Sequence, residues 1–361
     1  MRIMNYRVNS MRVPIYIGNS ISQLTAQLKA ASRPAVVVDS KIAELYKDLL
    51  TDIGGINDCV IINFQASEQN KSLGKAEEIL TFLLEKNIRR DSILFAIGGG
   101  ITGDLSGFVA AVFQRGIDYV HIPTTLLAMV DSSVGGKVGV NHDFGKNLIG
   151  AFHQPVSIVM NTKFLETLPK EELICGLGEV VKYAVLRGEI FFEFLEKNYL
   201  KLINKDEKTL ERIIKMSVET KKHYVERDTK EYGIRAHLNL GHTIGHAVEA
   251  ATKYNKFRHG EAVLIGLVAE AHIAMHMRIL GPTTFEKILK MVRLVARQRE
   301  EKVFLDEILG HLKYDKKVRA GKVRFILPTG IGRVVIRDDV PSKSIVDSIK
   351  FVAADGLLSL N

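Results

Sequence analysis

The stretch SILFAIGGGITGDLSGFVAAVFQ, residues 92–114, runs an apolar, β-branched segment into three glycines and then into a helical pattern. A short apolar run bounded by glycine is what a strand buried on both faces looks like. Gly98, Gly100 and Gly103 fit G-x-G-x-x-G, in which glycines let the backbone approach a pyrophosphate and the following helix start offers unpaired N–H groups. A dinucleotide or phosphate site is expected here, against the blander reading of a tight turn. The motif sits at the third or fourth strand of its domain, not in the opening βαβ unit of a standard Rossmann domain.

Outward from it, the same texture repeats. PAVVVDS (34–40), KIAELYKDLL, CVIINF (59–64), KAEEILTFLLEKN and DYVHIPTT (118–125) alternate strand-like and helix-like segments. Such alternation implies a parallel sheet covered by helices. Asp39, ending the first buried strand, has two readings: a partner for ribose hydroxyls, or a cap for the helix KIAELY. Past Thr167, Leu168 and Pro169 long helical windows take over, such as EELICGLGEVVKYAVL and HGEAVLIGLVAEAHIAMHM. The expected class is α/β: a Rossmann-like, parallel-sheet nucleotide-binding domain over 1–169, and a mainly α-helical domain binding metal and substrate over 170–361.

Composition narrows the function. Cys59 and Cys175 are the only cysteines and form no CxxC pair, which fits a reducing cytoplasm and argues against a thiolate metal site. The opening MRIMNYRVNSMRVPIYIG breaks every apolar run with Asn, Arg or Ser, unlike a signal peptide, and no segment has the roughly 18 apolar residues that span a bilayer. A cytoplasmic location and no membrane partner are expected. The 50 Lys and Arg exceed the 41 Asp and Glu, giving +9, but they are scattered among acids, so the surplus suits an anionic metabolite rather than nucleic acid.

Two clusters carry chemistry. Asp131 to Lys137 (DSSVGGK), followed by Lys146 and Asn147, reads as a glycine-rich loop with lysines suited to a phosphate or carboxylate. In the helical half, Glu179 and Lys182 share a helical face at i, i+3, the spacing of a surface ion pair as well as of a site. His242 and His246 lie at i, i+4 with Glu249 at i+7, and His259-Gly-Glu261 opens a further helix. Several His and Glu within one helical domain suggest a zinc-type site. Spacing alone nominates His242 and His246 as the ligand pair, but HTIGH lacks the Glu a metalloprotease places after its first His.

The blocks GGGITGDLSGFVAAVFQRG, HIPTTLLAMVDSSVGGKVGVN, GKNLIGAFHQP, TLP, GLGEVVKYA, LNLGHTIGHAVEA and HGEAV, in this order, resemble the signature blocks of 3-dehydroquinate synthases. The resemblance implies Glu179, His242 and His259 as ligands of a zinc or cobalt ion, with His246 an acid/base or orienting residue nearby. For NAD it implies Asp39, Glu68, Lys71, Gly99, Gly100, Ile101, Asp104, Thr124, Thr125, Phe164 and Thr167. For a sugar-acid phosphate substrate it implies Asp131, Lys137, Lys146, Asn147, Lys182, Lys221, Arg235, Asn239 and one of Lys316 or Lys317. Lys182, His246, Asn147 and Lys137 are the catalytic group on this reading. Arg115 matches a residue that reaches the neighbouring subunit's phosphate, so a homodimer is implied. Lys41 stands where the family often has Asn, which loosens the expectation for the adenosine side.

The implied reaction converts 3-deoxy-D-arabino-heptulosonate 7-phosphate to 3-dehydroquinate and phosphate, in the shikimate pathway of aromatic amino acid biosynthesis. Its stages are a transient oxidation by NAD, β-elimination of phosphate, re-reduction and aldol closure. The alternatives are another sugar phosphate cyclase, of the 2-deoxy-scyllo-inosose synthase type, or a metal-dependent polyol dehydrogenase of the same fold. The intact DSSVGGK block separates the chain from related cyclases that vary there.

Overall fold

A computed structural model describes residues 2–8, 10–18, 21–296, 301–313 and 323–361. The chain forms two compact units, Met1–Pro169 with Lys205–Val218, and Lys170–Asn204 with Glu219–Asn361. Among the described residues no helix is long and apolar enough to cross a membrane.

The first unit runs β1 (Arg2–Val8), β2 (Met11–Gly18), α1 (Ile21–Ala30), β3 (Ala35–Asp39), α2 (Ser40–Leu45), α3 (Lys47–Gly54), β4 (Val60–Phe64), α4 (Leu73–Glu85), β5 (Ile93–Gly98), α5 (Gly100–Val112), β6 (Asp118–Pro123), β7 (Lys137–His142), β8 (Gly145–Phe152) and β9 (Ser157–Asn161). Seven strands form one sheet in the order β1-β2-β9-β6-β5-β3-β4. Every pairing in it is parallel except β1 with β2. The central strands β3, β5, β6 and β9 are buried almost throughout, as continuous Val/Ile/Leu runs require. Leu105, Phe108 and Val109 of α5 join Val37 and Leu94 in the apolar core.

The chain leaves β3 for β4 on one side and returns to β5 on the other. This reversal makes the carboxyl ends of β3 and β5 the topological switch point, the place where open α/β sheets bind ligands. Asp39 and the glycines 98–100 stand at those two strand ends.

Two hairpins lie outside the strands read from the sequence. Strands β1 and β2 form an antiparallel edge whose burial alternates, so polar residues at every second position belong to the strand. The segment after Asp131, expected as loop, becomes the antiparallel pair β7 and β8, with a bulge between Val140 and His142. Val138 and Val140 turn into the core, while Phe144 and Phe152 are exposed. Glycines at alternate positions conceal that period of two.

The second unit contains α6 (Lys170–Arg187), α7 (Glu189–Ile203), the end of α8 (Glu207–Arg227), α9 (His242–Ala251), α10 (His259–His276), α11 (Pro282–Val295), β10 (Lys302–Val303), α12 (Leu305–Lys313), β11 (Phe325–Gly330), β12 (Arg333–Arg337), α13 (Ser342–Ala354) and β13 (Ser359–Leu360). Helix α10 is apolar all round and buried from Gly260 to Ala274, as expected of a central helix, with α6, α9, α11 and α13 packed against it. The helical half also holds the antiparallel pair β11 and β12, beside the long helical windows read there from the sequence.

Candidate active site

In the second unit three helices meet at points where only glycine fits. A Cβ on Gly178 would stand 2.3 Å from the Gly260 carbonyl oxygen, and one on Gly260 would stand 1.8 Å from that of Cys175. Helices α6 and α10 therefore touch backbone to backbone. Each glycine is the sequence neighbour of a polar residue: Gly178 of Glu179, Gly260 of His259, and Gly241 of His242. The start of α10 is fixed further by Arg258, whose N–H donates to Glu261 at 2.9 Å and whose Nε donates to Glu172 of α6 at 2.9 Å.

This packing brings Glu179, His242 and His259 together. Oε1 of Glu179 lies 3.3 Å from Nε2 of His242 and 3.2 Å from Nε2 of His259. Glu179 is fully buried, yet neither oxygen accepts an aligned hydrogen bond; Oε2 is ion-paired with Lys182, itself buried on the next turn. His242 Nδ1 lies 3.0 Å from the Leu240 carbonyl, which can only accept, so its proton sits there and its Nε2 lone pair faces Glu179. A buried carboxylate without aligned donors at Oε1, faced there by two imidazole nitrogens, fits a divalent ion, because carboxylate oxygen and imidazole nitrogen are the donors such an ion prefers.

Glu179 and His242 already have the protonation states that a divalent ion requires, whereas His259 must lose a proton to ligate. Burial alone would raise the Glu179 carboxyl, but Lys182 and the two imidazoles hold it well below the carboxylate range. Burial, with help from Lys182, lowers His242 from its ordinary value and keeps the ring neutral. Burial also pulls His259 down, but Glu179 and Glu249 outweigh it and hold the metal-free ring up at about 10.

His246, the other member of the pair suggested by spacing, stands with its ring 5.2 Å from that of His242 and 5.9 Å from that of His259. Its position allows a second grouping of His246, Glu249 and His259. Arg235 and Asn239 lie on the short helical turn Ile234–Asn239 that leads into α9, and Lys221 is buried on α8. Arg235 donates to the Thr229 carbonyl at 2.5 Å, and Asn239 donates to Glu231 at 2.8 Å. Lys316 and Lys317 lie outside the described residues.

In the first unit, Gly99 opens α5 without any side-chain cap, leaving first-turn N–H groups for a ligand. A Cβ on Gly99 would lie 3.2 Å from Thr125, and one on Gly100 would lie 3.1 Å from Ser132 Oγ, a buried hydroxyl without a hydrogen-bond partner. Such a cradle, bare at its base and holding an unsatisfied hydroxyl, fits the pyrophosphate of a dinucleotide. Ile101 follows on α5, and buried Thr124 donates its N–H to the Gly98 carbonyl at 2.9 Å. Asp39 caps α2, accepting from Lys41 N at 3.0 Å, with its carboxyl raised by burial. Tyr46 bonds to Thr167 Oγ1 at 3.0 Å and meets the Phe164 ring edge-on at 5.0 Å.

Residues expected for two different ligands form one network here. Lys71 donates to Asp104 and to Asn147, each at 2.5 Å. Glu68 accepts from Lys146 at 2.8 Å and from Asn141 at 2.8 Å; despite its burial, Lys146 keeps the carboxyl lowered. Asn147 adopts a positive φ of 52°, and its N–H donates to Asn141 at 3.0 Å. Asp131 lies in the turn Ala128–Ser132, and Lys137 is exposed at the head of β7. Arg115 is exposed in a turn at φ 72°, beside Gln114 at φ 47°.

Sequence reasoning passed over Tyr46, Asn141, Glu231 and Glu270, whose carboxylate caps α9 from within α10. Each acts on a residue distant in the chain or across a loop, and local spacing carries no trace of that.

The chain matches the family profiles described as 3-dehydroquinate synthase N-terminal, over residues 61–175, and 3-dehydroquinate synthase C-terminal, over 176–318. It is 42% identical over 343 residues to a 3-dehydroquinate synthase of Acidithiobacillus ferrooxidans, covering 93% of this chain and 94% of that one. To that of Pseudoalteromonas translucida it is 44% identical over 336 residues, covering 91% and 93%. Among solved structures, a 2-deoxy-scyllo-inosose synthase complexed with carbaglucose-6-phosphate, NAD+ and Co2+ superposes with a TM-score of 0.90 at 24% identity, covering 97% of this chain and all (100%) of that one. A 2-epi-5-epi-valiolone synthase from Streptomyces hygroscopicus with NAD+ and Zn2+ bound gives 0.86 at 25% identity, covering 98% and 100%.

Proposed function

The chain belongs to the 3-dehydroquinate synthase family, and from that premise we propose how its residues convert 3-deoxy-D-arabino-heptulosonate 7-phosphate to 3-dehydroquinate and phosphate. It is an NAD- and divalent-metal-dependent enzyme of the shikimate pathway, and structural neighbours carry NAD with cobalt or zinc. Bound, the metal supplies a Lewis acid for a substrate hydroxyl and NAD a reversible hydride acceptor.

The observation that carries the assignment is the buried Glu179 carboxylate, without an aligned donor, between His242 and His259. These three hold the ion. Gly99, Gly100, Ile101, Thr124 and Thr125 take the NAD pyrophosphate and nicotinamide side, while Asp39, Phe164 and Thr167 take the adenosine side. Glu68, Lys71 and Asp104 complete the NAD contacts, tied to Asn141, Lys146 and Asn147. Lys137, Lys146, Lys182, Lys221 and Arg235, with the lysine at 316 or 317, match a substrate anionic at both ends, with Asp131, Asn147 and Asn239 orienting its hydroxyls. His246 holds and returns a proton at its imidazole. The protein works as a cytoplasmic homodimer, in which the exposed Arg115 reaches the neighbouring subunit's phosphate. Positioning and charge are the protein's part in catalysis.

Incubation of the purified protein with the heptulosonate phosphate, NAD and zinc tests this. Dehydroquinate and phosphate should appear in equal amounts with no net reduced cofactor. Accumulating NADH would point to a polyol dehydrogenase instead, and absence of phosphate release would exclude the cyclase.

A further inference from the structure

His259 has a carboxylate at each end of its ring. Its Nε2 lies 3.2 Å from Glu179, and its Nδ1 lies 3.4 Å from Oε2 of Glu249, which is 5% exposed on the third turn of α9. A neutral imidazole offers a lone pair at one nitrogen and a proton at the other. His242 already has its proton tied toward the Leu240 carbonyl, leaving Nε2 for the Glu179 side. For His259 to join it, its own proton must sit on Nδ1, and Glu249 is the acceptor placed there.

We propose that Glu249 is the positioning residue of His259: it accepts the Nδ1–H hydrogen bond, fixes the ring and makes Nε2 the better metal donor. The proposal rests on the reading that Glu179, His242 and His259 hold the ion. The rival trio of His246, Glu249 and His259 would make Glu249 a ligand instead. Burial favours the first, because Glu179 is fully enclosed without aligned donors while His246 is half-exposed.

The test is zinc affinity of the full chain, stripped of metal and titrated with zinc against a chromophoric chelator, together with the visible spectrum of the cobalt-loaded protein. Glu249→Ala should weaken zinc about 10- to 100-fold and shift the cobalt bands. Glu249→Gln, whose amide oxygen still accepts from Nδ1–H, should lose less and keep a near-native spectrum; it also decides the matter if the alanine variant does not fold. Zinc affinity within about twofold of wild type in both variants, beside a Glu179→Gln variant that loses zinc, would overturn the role of Glu249 and leave the ligand set intact. Loss of zinc in Glu249→Gln with retention in Glu179→Gln would place the ion in the rival trio and overturn both readings.

Discussion

Glu270 accepts the backbone N–H of Gly241 at 2.6 Å, so that a buried carboxylate of α10 caps the helix that begins at His242. Its second oxygen takes the N–H of Thr243 at 3.1 Å. A carboxylate suits the positive end of a helix, and here it also sets where His242 points. Glu270→Ala would leave two buried donors unpaired and should cost about 3 kcal/mol of stability. Glu270→Gln keeps one acceptor oxygen and should cost roughly half as much. Denaturant unfolding measures both, and zinc affinity should fall in the same order. Equal stability of wild type and the alanine variant would show that the cap carries no weight.

The contact of Gly178 with Gly260 makes a second prediction. An added methyl at position 260 would meet the Cys175 carbonyl at 1.8 Å, so α6 and α10 must separate. Gly260→Ala should cost on the order of 1–3 kcal/mol and move Glu179 away from His259, releasing zinc. Gly281→Ala, where an added Cβ meets nothing within 4 Å, is the matched control and should retain metal.

These contacts show what was legible in the chain. The strands Ala35–Asp39, Ile93–Gly98 and Asp118–Pro123 could be read because burial on both faces demands an unbroken apolar run. The hairpin Arg2–Gly18 could not, because an edge strand mixes polar residues with apolar ones and looks like loop. For the candidate metal cluster, spacing along α9 pointed to His242 with His246, and only the family blocks named Glu179, His242 and His259, which the structure gathers from three helices. Distances within one helix follow from its pitch, but which helices cross, and at which residue, does not. The trace left in the sequence was a glycine beside each of the three, a sign of close backbone approach rather than of chemistry.

His121 of β6 supplies a pH dependence. It is buried against α5, its Nε2 has no hydrogen-bond partner, and burial pushes it from 6.5 down to about 4. The folded protein therefore holds this ring neutral where the unfolded chain would protonate it. As pH falls from 6.5 towards 4 the unfolded state takes up the extra proton, and stability drops. Above that window the residue has no effect on the slope, and through the window it removes about 3 kcal/mol. His121→Asn should flatten the wild-type decline in unfolding free energy across this range. An identical slope in the variant would mean that other groups cause the acid sensitivity.

On the proposed ligand set, metal binding should be coupled to proton release through His259. In the metal-free protein its ring is held protonated near neutral pH by Glu179 and Glu249, despite burial, and a protonated nitrogen cannot ligate. Glu179, held below the carboxylate range, and His242, lowered from its ordinary value, have no proton to give there. Zinc should therefore displace one proton, and its apparent affinity should rise about tenfold per pH unit above neutrality until His259 deprotonates by itself. Calorimetric titration of zinc in buffers of different ionisation enthalpy counts the protons released. A count near zero would mean that His259 is already neutral or is not a ligand. In a His259→Asn variant, which has no titrating ring, the pH dependence should vanish along with most of the affinity, because the proton and the ion compete for the same nitrogen.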